Sequence, residues 1–543
     1  MTGGFERAPS LRRLADEQFD VLVVGGGITG AGVALDAASR GLRTALVERD
    51  DFASGTSSKS SKLVHGGLRY LQQKEFSLVY EALYERQRLL ENAPHLVHVL
   101  PFLVPIMQHG GMIDRRISRV LGTALWMYDL TGGWRIGKRH HRISVDTARA
   151  HMPTLDPAAL ASAYLYYDAQ ADDARLTLAI ARSAADHGAA VANHTELVGL
   201  VKDGGRVCGA RLRARGHGAG QEAGDEIEVR ARSVVNAAGV WADQVRTIDE
   251  GADPASIRPA KGVHVTLPWS RVRNDIAVII PVPGDKRSVF VIPWGDATYV
   301  GTTDTDYTGS VEDPDCTGED VDYLLAALNS VLAEPLTRAD VIGTWAGLRP
   351  LLRGGSTRTA DLSRKHSVHT SPSGVVTVTG GKLTTYRRMA ADTVDAVGTI
   401  VGVETSSRTK HLRLHGATGA GIPPVGVEAS VREHLSGRYG ADAPAVARLV
   451  ETDPALGTAL VEGQPYLRAE AVYAVRDEMA RTLDDVLSRR TRARLFARDA
   501  SEAAAESTAA LLATELGWTG AERDAQVASY LASIAAERAA GDS

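Results

Sequence analysis

Lys62, His65, Arg69 and Tyr70 stand around the pair Gly66-Gly67 in the stretch SSKLVHGGLRYL (60–71). Four polar side chains beside a flexible backbone hinge suit a small anionic ligand. Two later segments carry the same residue types. GLRPLL (347–352) again sets an arginine, Arg349, after Gly-Leu, and VTGGKLTTYRRMA (378–390) places Lys382 directly after Gly380-Gly381. KGVHV (261–265) adds His264, and GTTDTD (301–306) adds the hydroxyls of Thr302 and Thr303. Arg69 and Arg349 are candidate anion anchors, since a guanidinium fork binds the oxygens of an anion such as phosphate in pairs; either alone could equally be a salt-bridged surface residue. His65 and His264 are candidate proton acceptors, and Lys382 is a third if burial depresses its pKa. Tyr70, Thr302 and Thr303 would orient the ligand or shape the pocket wall.

These side chains need a scaffold, and the N-terminal segment reads as one. DVLVV (20–24) is a continuous apolar run of the kind a buried parallel strand shows. GGGITGAGVALDAASRG (25–41) follows with small and apolar residues at helical spacing and Gly41 as a C-cap; LRTALVER (42–49) is a second strand. Gly25, Gly27 and Gly30 form G-x-G-x-x-G between strand and helix. The first glycine permits the tight turn, the second admits a pyrophosphate, and the third packs helix on strand. The free N–H groups of the helix start would face the phosphates. Glu48, 18 residues after Gly30, ends the second strand, where a carboxylate would accept from an adenosine ribose and disfavour a 2′-phosphate.

This unit alone does not separate FAD from NAD. SVVNAAGVWAD (233–243) and the late VTGGKLTTYRRMA segment do, since each is a strand ending in small residues that let backbone approach a flat ring. Segments that return to an N-terminal dinucleotide unit after hundreds of residues fit a large two-part cofactor, FAD.

A chain of 543 residues is too long for a single core. Its net charge of −5 excludes a generally basic nucleic-acid binder. Cys208 and Cys316 offer neither a disulfide framework nor a zinc site, so no metal is expected. The N-terminus lacks the apolar core of a secretory signal. The longest apolar stretch, LVHVLPFLVPIM (96–107), contains two prolines and is shorter than the roughly 20 residues a membrane helix needs, so it reads as strand. IAVIIPV (276–282), SVFVIPW (288–294) and TYVGTTD (298–304) make the middle of the chain strand-rich, and GVVTVT (374–379) is a further buried strand. After the turn-rich GATGAGIPPVG (416–426), segments such as AVRDEMARTLDDVLSRRTRARLF (474–496) have helical periodicity.

VVGGGITGAGVALDAASRGL, SSKLVHGGLRYL, NAAGVWAD, KGVHV, FVIPW, GTTDTD, GLRPLL, GGKLTTYR and DEMARTLDDVLSRRTR occur in this order across residues 20–494. Together they resemble the FAD-dependent glycerol-3-phosphate dehydrogenases of the aerobic, respiratory type. The resemblance implies an α/β fold of the D-amino-acid-oxidase/glutathione-reductase class: a Rossmann-like FAD domain discontinuous over 16–82, 168–240 and 350–404, a β-rich substrate domain over 83–167 and 241–349, and a helical C-terminal domain over 405–543. It implies non-covalent FAD bound by Gly25, Gly27, Ile28, Thr29, Gly30, Glu48, Arg49, Thr56, Ser57, Ser58, Lys62, Leu63, Val198, Ala238, Gly239, Trp241, Gly381, Lys382, Leu383 and Thr384. It further implies hydride transfer from C2 of sn-glycerol 3-phosphate to flavin N5, giving dihydroxyacetone phosphate, with electrons passed to a membrane quinone. A cytoplasmic protein peripheral to the inner face of the plasma membrane is expected, and a homodimer is compatible with it. The alternative is an O2-using flavin oxidase of the same fold acting on glycerol phosphate or an amino acid.

One segment, residues 111–142, fits membrane contact by its own composition. Between Gly111 and Ser144 seven Arg or Lys residues face two Asp, with Trp126, Met127, Tyr128 and Trp134 interleaved. A core helix with a solvated basic edge has the same pattern.

Overall fold

The computed structural model describes residues 4–67, 75–107, 118–215, 226–252, 254–285, 287–353, 365–418 and 428–543. Arg69 and Tyr70 lie outside these residues. So do Gly111–Ile117 of the basic segment and most of the 416–426 linker.

The apolar DVLVV run is the strand Gln18–Val24, flanked in parallel by Thr44–Val47 and Glu226–Asn236. Ala190–Ala192 and Val376–Gly380 extend the parallel sheet, and His366–Thr370 closes it antiparallel. Helices Ile28–Ser39, Asp173–Asp186 and Tyr386–Val401 cover one face, with Val33, Leu35, Leu176, Ile180, Val394 and Val397 in one core. Strands Thr195–Asp203 and Arg206–Ala214 continue the sheet beyond Glu226–Asn236, and their Leu197 and Leu212 join Leu22, Val24, Val229 and Val234 in a second core. Buried on both faces, the central strands need no polar alternation, which is why they read as unbroken apolar runs.

A second, ten-stranded sheet is built around the antiparallel pair Val97–Met107 and Leu160–Ala171. Its other half holds Ile257–Pro268 between Ala297–Gly301 and Gly343–Leu352, a register that sets His264 opposite both Gly301 and Trp345. Leu63–Val64, expected within the FAD-domain segment, pairs with Leu160–Ala171 and so belongs to this sheet. The two sheets therefore meet at the start of the SSKLVHGG stretch.

The C-terminal part is helical as expected, in several separate pieces. Residues 474–496 do not form one helix: Arg468–Glu478 ends at Met479 in the left-handed region (φ 57°), and a π-turn over Asp485–Arg490 follows. The cause is local. The Asp485 carboxylate accepts from the backbone N–H groups of Arg481 and Thr482, so those groups take a side-chain partner in place of helical carbonyls. Among the described residues no helix is long and apolar enough to cross a membrane.

Candidate active site

Where the parallel strands end, the chain encloses a cavity of about 280 Å³. Its floor is the glycine loop. Gly25 has φ +112°, and a methyl group there would stand 2.6 Å from the carbonyl oxygen of Ala237; one on Gly30 would overlap the carbonyl oxygen of Gly25. The loop is therefore closed to side chains and open to a ligand. Gly27 precedes the first helical turn, the N–H of Ile28 donates to Ser57 Oγ at 2.9 Å, and Gly27, Ile28 and Thr29 all line the cavity. Glu48 braces the loop, accepting from Gly26 N–H at 2.6 Å and Asp50 N–H at 2.9 Å. Burial raises its carboxyl pKa, against those two backbone donors.

Of the remaining expected cofactor residues, Thr56, Leu63, Ala238, Gly239, Trp241, Gly381, Lys382, Leu383 and Thr384 line the same cavity. Gly380 and Gly381 both have positive φ (75° and 78°), and a methyl on Gly381 would overlap Met389 Sδ. That backbone turns Lys382 to the wall. Thr384 Oγ1 accepts from the N–H of His65 at 3.2 Å, locking the two walls together.

Lys62, Val198, Arg49, Ser58 and His264 stand outside this cavity. Lys62 does not line the cavity. Its ammonium is fully buried, 3.2 Å from Asp173 Oδ1 and 3.1 Å from the Ser58 carbonyl, because a charge without water requires a counter-ion. Burial and the Arg492 charge bring its pKa down to about 8. Val198, on the Thr195–Asp203 strand, also lies off the cavity. Arg49 and Ser58 face a neighbouring cleft of about 580 Å³ that shares Trp241 with the cavity; Arg49 stands over the Trp241 ring at 5.0 Å and pairs with Glu312 at 2.7 Å. His264 is set behind the wall, with Nε2 2.8 Å from Ser61 Oγ, and burial holds its pKa well below that of an ordinary histidine.

The anion-binding residues divide in the same way. Arg349 lines the cavity, while Thr302 and Thr303 hold its guanidinium. Arg349 Nη2 donates to Thr302 Oγ1 at 3.1 Å and to the Thr303 carbonyl at 3.3 Å, and Nη1 donates to Asp304 Oδ1 at 3.3 Å. His65 also lines the cavity, its ring edge-on to Phe290 with centroids 6.1 Å apart. Ser60 and Ser61, the first two residues of the SSKLVHGGLRYL stretch, share the wall.

Glycine cradle, helix start and small-residue wall all fit a dinucleotide, and the comparisons say which. Residues 20–387 match the family described as FAD dependent oxidoreductase, and residues 407–523 match the C-terminal domain of alpha-glycerophosphate oxidase. Glycerol-3-phosphate dehydrogenase 2 of Mycobacterium tuberculosis is 42% identical over 551 residues, covering 98% of this chain and 91% of that protein. The chain belongs to the FAD-dependent glycerol-3-phosphate dehydrogenases. The Mycobacterium leprae glycerol-3-phosphate dehydrogenase is 43% identical, with coverages of 98% and 91%. The solved glycerol-3-phosphate dehydrogenase of Bacillus halodurans, complexed with FAD, superposes with a TM-score of 0.78 at 31% identity, over 99% of this chain and 98% of that one. The cofactor is FAD, and the fold is that of the D-amino-acid-oxidase class with a helical C-terminal domain.

The basic segment is only partly what its composition suggests. On helix Ser118–Thr131, Trp126 is 54% and Leu130 70% exposed, beside exposed Lys138, Arg139 and Arg142. Tyr128 is the exception: it is fully buried and its hydroxyl is bound to Asp168 at 2.7 Å.

Proposed function

We propose that this chain oxidises sn-glycerol 3-phosphate to dihydroxyacetone phosphate and delivers the electrons to a membrane quinone. The observation that carries the reading is the convergence of Arg349, Lys382 and His65 on one cavity whose floor is the FAD glycine loop. Arg349 anchors the phosphate. Its fork is held in place by Thr302, Thr303 and Asp304, so little side-chain freedom is lost when the anion arrives. Lys382 adds the second charge beside the ring. His65 accepts the proton of the C2 hydroxyl, since it faces the cavity and His264 does not. When bound, FAD supplies the two-electron acceptor for the hydride on C2.

Arg349→Ala is expected to raise the KM for glycerol 3-phosphate roughly 10- to 150-fold, the value of a charge-assisted contact of about 1.5–3 kcal/mol. Steady-state kinetics across substrate concentrations check it. His65→Gln is expected to lower kcat about 10²- to 10⁴-fold with KM little changed; a KM effect alone would make His65 a binding residue.

Exposed Trp126 and Leu130 with neighbouring cations support contact with an anionic membrane surface, where a quinone is reached. The double variant Trp126→Ser/Leu130→Ser is expected to lose sedimentation with anionic lipid vesicles while reducing a soluble quinone normally. The function itself is tested by supplying a soluble quinone and O2 in turn. Rapid quinone reduction with little peroxide is expected, and peroxide formation at the quinone rate would make the protein an oxidase.

A further inference from the structure

His264 and Ser61 form a pair whose hydrogen-bond polarity can be assigned. His264 Nε2 lies 2.8 Å from Ser61 Oγ. Its other nitrogen, Nδ1, is buried and has no hydrogen-bond partner among the described residues. The ring is stacked on Trp345, centroids 4.7 Å apart at 11°, and a methyl on Gly301 would overlap it from the other side. It therefore has no room to flip. A neutral imidazole carries one N–H. On Nδ1 that hydrogen would be an orphan donor in the interior; on Nε2 it finds the Ser61 oxygen. An orphan lone pair is the milder defect, so Nε2 carries the hydrogen. The nearby Lys62 and Arg349 charges, together with burial, keep the ring from taking a second proton.

The consequence falls on Ser61. With His264 donating to its oxygen, the Ser61 hydroxyl has its own hydrogen left to give, and Ser61 lines the FAD cavity. Its backbone is fixed by the same rings that hold His264. Tyr299 OH donates to the Ser61 carbonyl at 3.0 Å, and Trp345 Nε1 donates to the Ser60 carbonyl at 3.3 Å. We propose that Ser61 is a hydrogen-bond donor to the flavin ring, and that His264 is a positioning residue that imposes this polarity and takes no proton from the substrate. The inference rests on the FAD reading of the cavity.

Two measurements test it. In apoprotein labelled with ¹⁵N-histidine, the resonances lost in His264→Gln should show a protonated Nε2, an unprotonated Nδ1 and no titration between about pH 5.5 and 8.5. A protonated Nδ1, or a ring that titrates in that range, overturns the assignment without bearing on FAD. In the FAD-loaded protein without substrate, Ser61→Ala and His264→Leu should shift the visible flavin band in the same direction. The double variant should shift it no further than either single one, as expected of residues acting as a unit. His264→Gln, which keeps an N–H near the Nε2 position, should restore most of the shift and retain the acid limb of the kcat–pH profile. An unshifted flavin band in Ser61→Ala, or loss of that acid limb in His264→Gln, overturns the proposal. Failure of the wild-type chain to take up FAD would instead overturn the reading of the cavity.

Discussion

Gly30→Ala is expected to yield a folded protein that purifies largely without FAD. The added methyl would overlap the carbonyl oxygen of Gly25 and come within 3.0 Å of its carbon and 3.3 Å of Ala237 Cβ. Gly25 is backbone in the left-handed region and is tied to the neighbouring strand through Val47, so it cannot swing aside as a side chain would. The helix start must move, carrying with it Gly27, Ile28 and Thr29, which line the cavity, and the Ile28 N–H bond to Ser57 Oγ. Overpacking of this kind costs about 1–3 kcal/mol, which if charged to cofactor binding weakens FAD roughly 5- to 150-fold. Titration of apoprotein with FAD, followed by quenching of flavin fluorescence, measures it. Gly437→Ala is the control: that glycine sits in a helix with nothing within 4 Å of the new methyl, and FAD affinity should be unchanged.

The second large effect lies behind the cavity wall. Asp173 is fully buried and accepts from Ser60 N–H at 3.0 Å, Ser60 Oγ at 2.7 Å, Lys62 Nζ at 3.2 Å and the guanidinium of Arg492. Arg492, also fully buried, comes from the C-terminal part and further donates to Asp172 and to the Ser58 carbonyl. One carboxylate thus ties the C-terminal helices to the backbone that lines the FAD site. Asp173→Ala leaves two buried cations without their shared counter-ion, and removing one partner from such a group costs about 3–5 kcal/mol. Arg492→Ala should destabilise by a similar amount, with Arg492→Lys partly restoring it. In urea, these variants are expected to release FAD well before the helical signal is lost, because Ser60 belongs to the cavity wall. Coincident loss of both signals at the wild-type midpoint would show that the cluster has no influence on the site.

The two kinds of residue differ in how far their partners lie along the chain. The placement of the strand–glycine–helix unit and of the Gly380-Gly381-Lys382 turn at the cavity was legible from neighbours in sequence and from backbone conformation, and that of Arg349 from the family resemblance. That of Lys62 was not. It carries the charge expected of a ligand residue, but its counter-ion Asp173 comes from a helix more than a hundred residues away, which no local pattern reveals. Tyr128 was obscured in the same way, since its partner Asp168 lies on a distant strand of the second sheet. The 474–496 segment has helical periodicity, yet Asp485 interrupts it by accepting from the backbone N–H groups of Arg481 and Thr482, while half-buried Arg489 and buried Arg490 pair with the distant Asp51. Ser60 and Ser61 lie in the informative SSKLVHGGLRYL stretch but were not themselves singled out. Small hydroxyl residues are common in loops, and only the juxtaposition of two sheets shows what they touch.

The central claim is most directly tested by adding sn-glycerol 3-phosphate to the FAD-loaded protein without oxygen and following the flavin band near 450 nm. Prompt bleaching that is absent with glycerol, and that needs far more substrate in Arg349→Ala, is the predicted result. A flavin that stays yellow at saturating glycerol 3-phosphate would contradict the account.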